Sequence, residues 1–566
     1  MPFKLSAQHL GAVNRRRRVV VNRDAIHGDP TFTDPDIRDL VDYKFDFIDH
    51  FRTHIDSLWW NWGEGHQAPY PSKILPHYAE TYDHPGYRRW LDEGIDPVRI
   101  FLEETRKRKL EAFFAYRING GDNDLHLLPT RQISLKESHP DWLIHLPWRD
   151  SGMWNFAVQG VRDYKLSILR EVAENYDFDG IDIDFARAPP VLPPGRQWQL
   201  RHHLTEFMRK LRSMLLEFER KRNRPFLLSA RVPETVEGAH FDGLDVETWA
   251  REQIVDLFAL GVRSFEVDIQ GYRSFTRRRN IKLYPSLDDW HSSDGYQWPP
   301  IEVFRGIFAN WWRQGADGIH TFNFSYGRPE PAARIGVPFP DPVVHVWRSA
   351  QWSDTPVWET HLQAYREMGS PERLGDRDKT FVIQRRGGGG HPSLEPEKWH
   401  TPRYFYANSN MMAQLPAGLA NDGKADTLLR LEVADDLGGK PDRLKDLNLR
   451  ILLSDPAARS LPDTQKLQRT FVKRFMQARI RARKAQPPDS YYNLPPRKGI
   501  DREIEVRLNG ALLAQPVIEE GWLMFRPRGT QLVAGTNLLG IRRTRPVADT
   551  QPRMKVEKVE LTVRYR

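Results

Sequence analysis

Cysteine is absent from the 566-residue chain, which removes disulfides and thiolate metal sites from consideration. No apolar run approaches the roughly 20 residues that a membrane-crossing helix needs. Met1–Asn14 has no apolar core of the signal-peptide kind, which leaves either a cytoplasmic protein or one whose leader has been removed. HExxH, CxxC and phosphate-loop patterns are missing, so nothing points to a metal hydrolase or a nucleoside triphosphatase. Neither a metal ion nor a cofactor is expected. The glycine-rich turn that opens a dinucleotide-binding sheet is missing too, because the first strand-like run is followed by Asn22-Arg23-Asp24-Ala25.

What the chain does have is length, basic charge and tryptophan. A single core rarely supports 566 residues, so a large domain of about 350 residues and a smaller one are expected. Lys+Arg total 84 against 75 Asp+Glu, a net charge of +9. That balance admits an anionic partner, such as nucleic acid or a sulfated or carboxylated polysaccharide, or simply a basic solvated surface. Arg15–Arg18 runs straight into Val19-Val20-Val21 and reads as a basic edge before the first strand. The 18 Trp either stack on sugars or fill the core.

The most informative stretch is Tyr176–Arg187, in which Asp182 and Asp184 alternate with Ile181, Ile183 and Phe185. In a strand this puts both carboxylates on one face and the apolar side chains on the other, the pattern of a barrel wall. Similar runs recur at Arg18–Asn22, Ser57–Trp62, Leu110–Asn119, Phe226–Val232, Ser264–Gln270, Lys282–Leu287 and Gly318–Tyr326. With the carboxylate stretch as the fourth, they number eight. Helical stripes lie between them at Val161–Tyr176, Trp198–Arg222, Val246–Leu260 and Ile301–Trp312. Repeated strand–helix units predict an α/β fold, a (β/α)₈ TIM barrel over residues 1–372, ending with a helix near Pro342–Gly369.

After Asp376 short β runs take over, at Thr380–Gln384, Thr427–Val433, Leu447–Leu453, Glu503–Leu508, Gly521–Phe525, Asn537–Arg542 and Lys555–Tyr565. They predict a C-terminal β-sandwich over residues 373–566, with a hairpin turn at Asn509-Gly510. A basic helical and loop insert is expected around 460–502, comprising Lys466–Lys484 and the proline-rich Gln486–Asp501. Gly387–Gly390 reads as a loop tip.

Barrel active sites form at the C-terminal ends of the strands. The groups closing these runs are polar and carboxylate-rich. Asp184 and Glu234 end adjacent strands, which suits the paired carboxyls of glycoside hydrolysis: Asp184 as nucleophile and Glu234 as general acid/base. Asp182 is read as their hydrogen-bonding support and as a substrate-binding candidate; Asp268, also a substrate-binding candidate, is the chief rival for the acid role, with Glu64 a weaker one. Glu234 could instead cap a helix after Pro233. Arg187 and Arg231 either tune Asp184 or bind an anionic sugar substituent. Trp60 and Trp62, as stacking platforms or as core, join Arg117, Asn119, Gln270, Asn323 and Tyr326 as substrate-binding candidates. His66, His126 and His291 are scattered and read as wall residues.

Phe178–Phe185 resembles the fourth-strand signature of (β/α)₈ glycoside hydrolases. Together with Arg117-Ile118-Asn119, Asp184–Arg187, Arg231-Val232-Pro233 and Gly243–Trp249, it is similar to the family-10-like glycosidase-related barrels of polysaccharide-degrading bacteria, over roughly residues 15–370. That resemblance implies glycosidase chemistry without fixing the sugar. The positions of Asp184 and Glu234 also resemble those of retaining endo-fucanases that act on sulfated fucans. The seventh run ends Pro285-Ser286-Leu287-Asp288, without the glutamate of the clan that pairs strands four and seven. The expected function is therefore a retaining glycoside hydrolase acting on an anionic polysaccharide. A non-catalytic carbohydrate-binding barrel is the alternative. Nucleic-acid binding through Lys466–Lys484 ranks last, because rim carboxylates repel phosphates.

Overall fold

The computed structural model describes residues 2–25, 36–49, 52–62, 67–81, 85–119, 134–146, 149–187, 189–261, 264–288, 299–324, 327–336, 355–384, 412–455, 499–519 and 522–566. The inserts at 466–484 and 486–498, the glycines at 387–390, and Glu64, His66, His126, His291 and Tyr326 lie outside the described residues.

Eight parallel strands close into a barrel: β1 (Val19–Asp24), β2 (Ile55–Asn61), β3 (Glu111–Arg117), β4 (Gly180–Asp184), β5 (Leu227–Val232), β6 (Leu257–Leu260), β7 (Lys282–Leu287) and β8 (Ile319–Phe322). β1 pairs with both β2 and β8, so the ring has no free edge. The principal helices of this half of the chain are α1 (Ala7–Val13), α2 (Ile37–Asp49), α3 (Pro97–Lys107), α4 (Gln159–Asn175), α5 (Gln197–Arg222), α6 (Val236–Phe241), α7 (Val246–Arg251), α8 (Ile269–Thr276), α9 (Ile301–Arg313) and α10 (Val357–Glu367).

Strand alternation splits the barrel into two apolar compartments. Leu58, Trp60, Phe114, Ile181, Ile183, Leu228 and Phe258 face outward and join the helices in one large core. Val20, Trp59, Phe113, Ala115, Leu227, Leu257, Ala259 and Tyr284 face inward and fill the lumen with Val13 of α1. Gly180 sits on the inward face of β4, and a Cβ there would come within 2.3 Å of the Phe113 ring. Only glycine lets that ring occupy the lumen. The buried stripe of α5 contains Leu204, Phe207, Leu211, Leu215 and Phe218, as its period predicts. The helix stops at Asn223, in the left-handed region at φ 51°, after Arg220, Lys221 and Arg222 in its last turn.

The sixth strand differs from expectation. Val246–Leu260 is not one helix: the chain turns at Gln253 (φ 55°) and Leu257–Leu260 forms β6. An unbroken apolar run does not distinguish buried strand from buried helix. Ser264–Gln270, read as the strand, instead leads into α8.

The C-terminal part is two packed antiparallel sheets. One contains β9 (Lys379–Val382), β11 (Leu444–Ser454), β13 (Trp522–Phe525) and β15 (Lys555–Tyr565), and the other β10 (Thr427–Val433), β12 (Ile504–Leu508) and β14 (Gly535–Arg543). Leu431, Leu449, Ile451, Ile541 and Leu561 lie in the core between them. Asn509 and Gly510 both have positive φ, as a tight hairpin turn requires. This sandwich abuts the barrel at α9. There the Thr380 carbonyl lies so close to Gly306 that a Cβ would come within 2.3 Å of it, and Asn310 donates to the Glu432 carbonyl.

Candidate active site

Asp182 and Asp184 share the inward face of β4. In register, Arg117, Asp184 and Arg231 form one row across β3, β4 and β5. Asp184 Oδ2 lies 3.3 Å from Arg231 Nη1, and Oδ1 accepts backbone N–H bonds from Ala186 (3.0 Å) and Arg187 (2.9 Å). Arg117 turns to Asp24, at 2.8 Å, and Asn61 donates to the same Asp24 oxygen at 2.7 Å. Phe322 is a common wall: the Arg231 guanidinium lies 4.0 Å from its ring centre and that of Arg117 5.4 Å. Asn323, at φ 52°, donates to Asp288 at 2.9 Å.

One layer deeper, Asp182 lies opposite Ser229, and Ser286 and His320 share a 2.7 Å hydrogen bond. Burial pushes the Asp182 carboxyl up to about 7; Ser229 and Arg231 oppose this, and Asp184 adds to it. Burial, assisted by Arg231, holds His320 well below the ordinary imidazole value, so it stays neutral. Burial also lowers the Arg231 guanidinium, with Asp184 and Asp182 pulling the other way. Arg231 is 0% exposed, yet none of its three nitrogens makes a hydrogen bond among the described residues. The same is true of both Asp182 oxygens, Ser229 Oγ and His320 Nε2. Buried polar groups are normally paired, and where they are not a functional role or bound water is the usual reason.

Glu234 follows β5 by two residues and is 3% exposed, as is Asp184. It does not cap α6. That role belongs to Thr235, which accepts from Gly238 N–H at 2.9 Å. Glu234 does have a partner of its own.

Several candidates fall elsewhere. Trp60 faces outward, donates to Thr105 at 2.9 Å and packs on Phe45 and Phe101. Trp62 packs on Phe101 too, so both are core residues rather than stacking platforms. Asn119 is a strut, donating to the Pro190 carbonyl and accepting from Trp154 N–H. The Asp268 carboxylate accepts from Gly271 N–H at 2.8 Å and caps α8. Gln270 is exposed and donates to the Gln314 carbonyl. Arg187 contributes its backbone amide; its half-buried guanidinium has no carboxylate partner among the described residues. Asn61 and Phe322 were missed. For Asn61 the clue was available: Ser57, Trp59 and Asn61 share one parity, and the first and last are polar. Among the described residues there is no cluster that could hold a metal ion.

No family model matches the chain. It is 32% identical over 96 residues to "Glycosyl hydrolase YngK" of Bacillus subtilis (strain 168), covering 16% of this chain and 18% of that protein. It is 30% identical over 156 residues to "Glycosyl hydrolase DigH" of Escherichia coli (strain K12), covering 25% of this chain and 33% of the relative. The chain thus spans at most a third of the length of these curated relatives. Among solved structures, the glycoside hydrolase domain of PgaB (BpsB) from Bordetella bronchiseptica aligns at a TM-score of 0.36 and 12% identity, over 56% of this chain and 97% of that one. A class V chitinase from Pseudomonas fluorescens Pf-5 aligns at 0.33 and 11%, over 56% and 98%.

Proposed function

We propose that the chain is a retaining glycoside hydrolase acting on an anionic polysaccharide, with Asp184 as nucleophile and Glu234 as general acid/base. The observation that carries this reading is the Arg117–Asp184–Arg231 row at the mouth of a closed barrel, with Glu234 two residues beyond the neighbouring strand. The partial similarity to two proteins named as glycosyl hydrolases supports the reaction class. In a retaining reaction the nucleophile attacks the anomeric carbon while the acid protonates the departing oxygen, and the acid then activates water. Arg231, 3.3 Å from Asp184 Oδ2, sets a positive charge beside the proposed nucleophile. The backbone amides on Oδ1 fix its direction, leaving Oδ2 to the reacting centre.

The anionic preference rests on Arg187, whose guanidinium no carboxylate neutralises among the described residues, and on the +9 charge. Sulfated fucan is the first polymer to test. Residues 1–372 form the catalytic unit in this reading and 373–566 the accessory unit. Asp184→Asn and Glu234→Gln should each lower the release of reducing ends from sulfated and uronate polysaccharides by at least about 10³-fold while the fold is kept. Wild-type turnover by either variant would remove its residue from the assignment. The anomer first released, read by proton NMR, tests retention.

A further inference from the structure

The seam between barrel and sandwich bears on Glu234. Gln384 lies just past β9 and is buried. Its side-chain Oε1 accepts two backbone bonds from the barrel, from Phe265 N–H and Glu266 N–H, both at 2.7 Å. Its own backbone N–H donates to Glu266 Oε1 at 3.1 Å. Trp311 of α9 holds the same segment from the other side, donating to the Phe265 carbonyl at 2.8 Å.

That segment leads directly to Glu234. Asp268 N–H donates to the Glu234 carbonyl at 2.9 Å. The Tyr272 hydroxyl reaches the carbonyl of Pro233 at 2.9 Å and that of Thr235 at 3.4 Å. Three consecutive carbonyls, those of Pro233, Glu234 and Thr235, are therefore held by residues 268–272. Gly261, at φ +80°, packs under Glu234, where a Cβ would sit 3.2 Å from the Glu234 Cβ.

We infer that Gln384 is a positioning residue for Glu234: the sandwich clamps the segment Ser264–Asp268, and that segment fixes the backbone from which the Glu234 carboxyl projects. The accessory domain is then part of the active-site framework. Removing the Gln384 side chain takes the Oε1 acceptor from one buried amide and one part-buried amide, and frees the segment to move. A sub-ångström drift of an acid relative to a glycosidic oxygen is enough to slow proton transfer. The inference rests on the reading of Glu234 as the acid/base, and its first test needs no substrate.

Hydrogen–deuterium exchange of the full chain would compare wild type with Gln384→Ala. Peptides spanning 233–241 and 264–276 should exchange about tenfold faster in the variant, with β1 to β4 unchanged. Unchanged exchange at 233–241 overturns the inference, and so does uniform acceleration throughout the barrel. If Gln384→Ala does not fold, Gln384→Met fills the space without an acceptor and is judged by the same two outcomes. On a sulfated polysaccharide that wild type cleaves, kcat should fall with KM held; an equal rise in KM would count against positioning. Full activity of Glu234→Gln would remove the catalytic reading while leaving the exchange result standing.

Discussion

The lumen holds two buried arginine–carboxylate pairs, one at the floor and one at the mouth, and they are built differently. At the floor Arg17 is saturated. Its Nε and Nη2 donate to Glu111 at 2.7 and 2.6 Å, and its remaining donors reach the carbonyls of Ala12, Val13 and Arg15. Ser57 also donates to Glu111. At the mouth Arg231 is equally buried but stands 3.3 Å from Asp184, with no nitrogen at hydrogen-bonding geometry to any of the described residues. A buried ion pair offsets its desolvation only when the remaining donors are satisfied. The floor meets that condition and the mouth does not. The floor therefore plugs the barrel, and the mouth keeps unsatisfied capacity where chemistry is proposed.

The largest expected effect lies at the floor. Arg17→Met strands the Glu111 charge and should destabilise the fold by about 3–5 kcal/mol, read as a shift in the urea midpoint. Arg231→Met removes an equally buried cation, but Asp184 keeps two backbone amides. Its stability loss should stay below about 2 kcal/mol, while polysaccharide cleavage falls by at least about 10²-fold. Equal destabilisation at both sites would break the comparison.

How much of this was legible depended on strand parity. Asp182 and Asp184 announced their shared face because Ile181, Ile183 and Phe185 separate them. The eight-strand ring and the sandwich followed from similar runs. Trp60 and Trp62 misled because aromatic residues drew attention to the wrong parity; Ser57 and Asn61 marked the inward face instead. The sixth strand was hidden because Ile254–Leu260 is nearly all apolar, interrupted only by Asp256, whose carboxylate is absorbed by His9, Arg212 and Leu228 N–H. The contacts of Gln384 were invisible in principle, since Phe265 is 119 positions away and no local pattern links them.

Asp182 sharpens the contrast through pH. Its unfolded value is near 3.8 and its folded value about 7, raised by burial. A raised acid stabilises the fold fully below the unfolded value, and that contribution is lost as pH rises toward 7. Asp182→Asn does not titrate, so it should gain on wild type between about pH 4 and pH 7, by a few kcal/mol in order of magnitude. Urea unfolding at both pH values checks this. A pH-independent difference would mean that the mouth layer accommodates the charge as well as the floor does.

The smallest effect belongs to the seam. Burial pushes the Glu266 carboxyl up to about 8, against the Gln384 N–H, Arg430 and Gln414, while Glu432 adds to the rise. The unfolded value is near 4.5, so the contribution is complete below that pH and is lost on the way to 8. Because Glu266 is partly exposed, the gain of Glu266→Gln over wild type should reach only about 1 kcal/mol at pH 8 and vanish at pH 4. The glutamine keeps an acceptor for Gln384 N–H, so the clamp itself survives the substitution. Raising the pH of wild type from 6 to 9 should then loosen residues 264–276 in hydrogen exchange, after correction for the intrinsic rate, before it loosens β3, which carries Glu111. Simultaneous loosening would mean that the saturated floor and the titrating seam unfold as one unit, and that the sandwich does not act on Glu234 separately from the barrel.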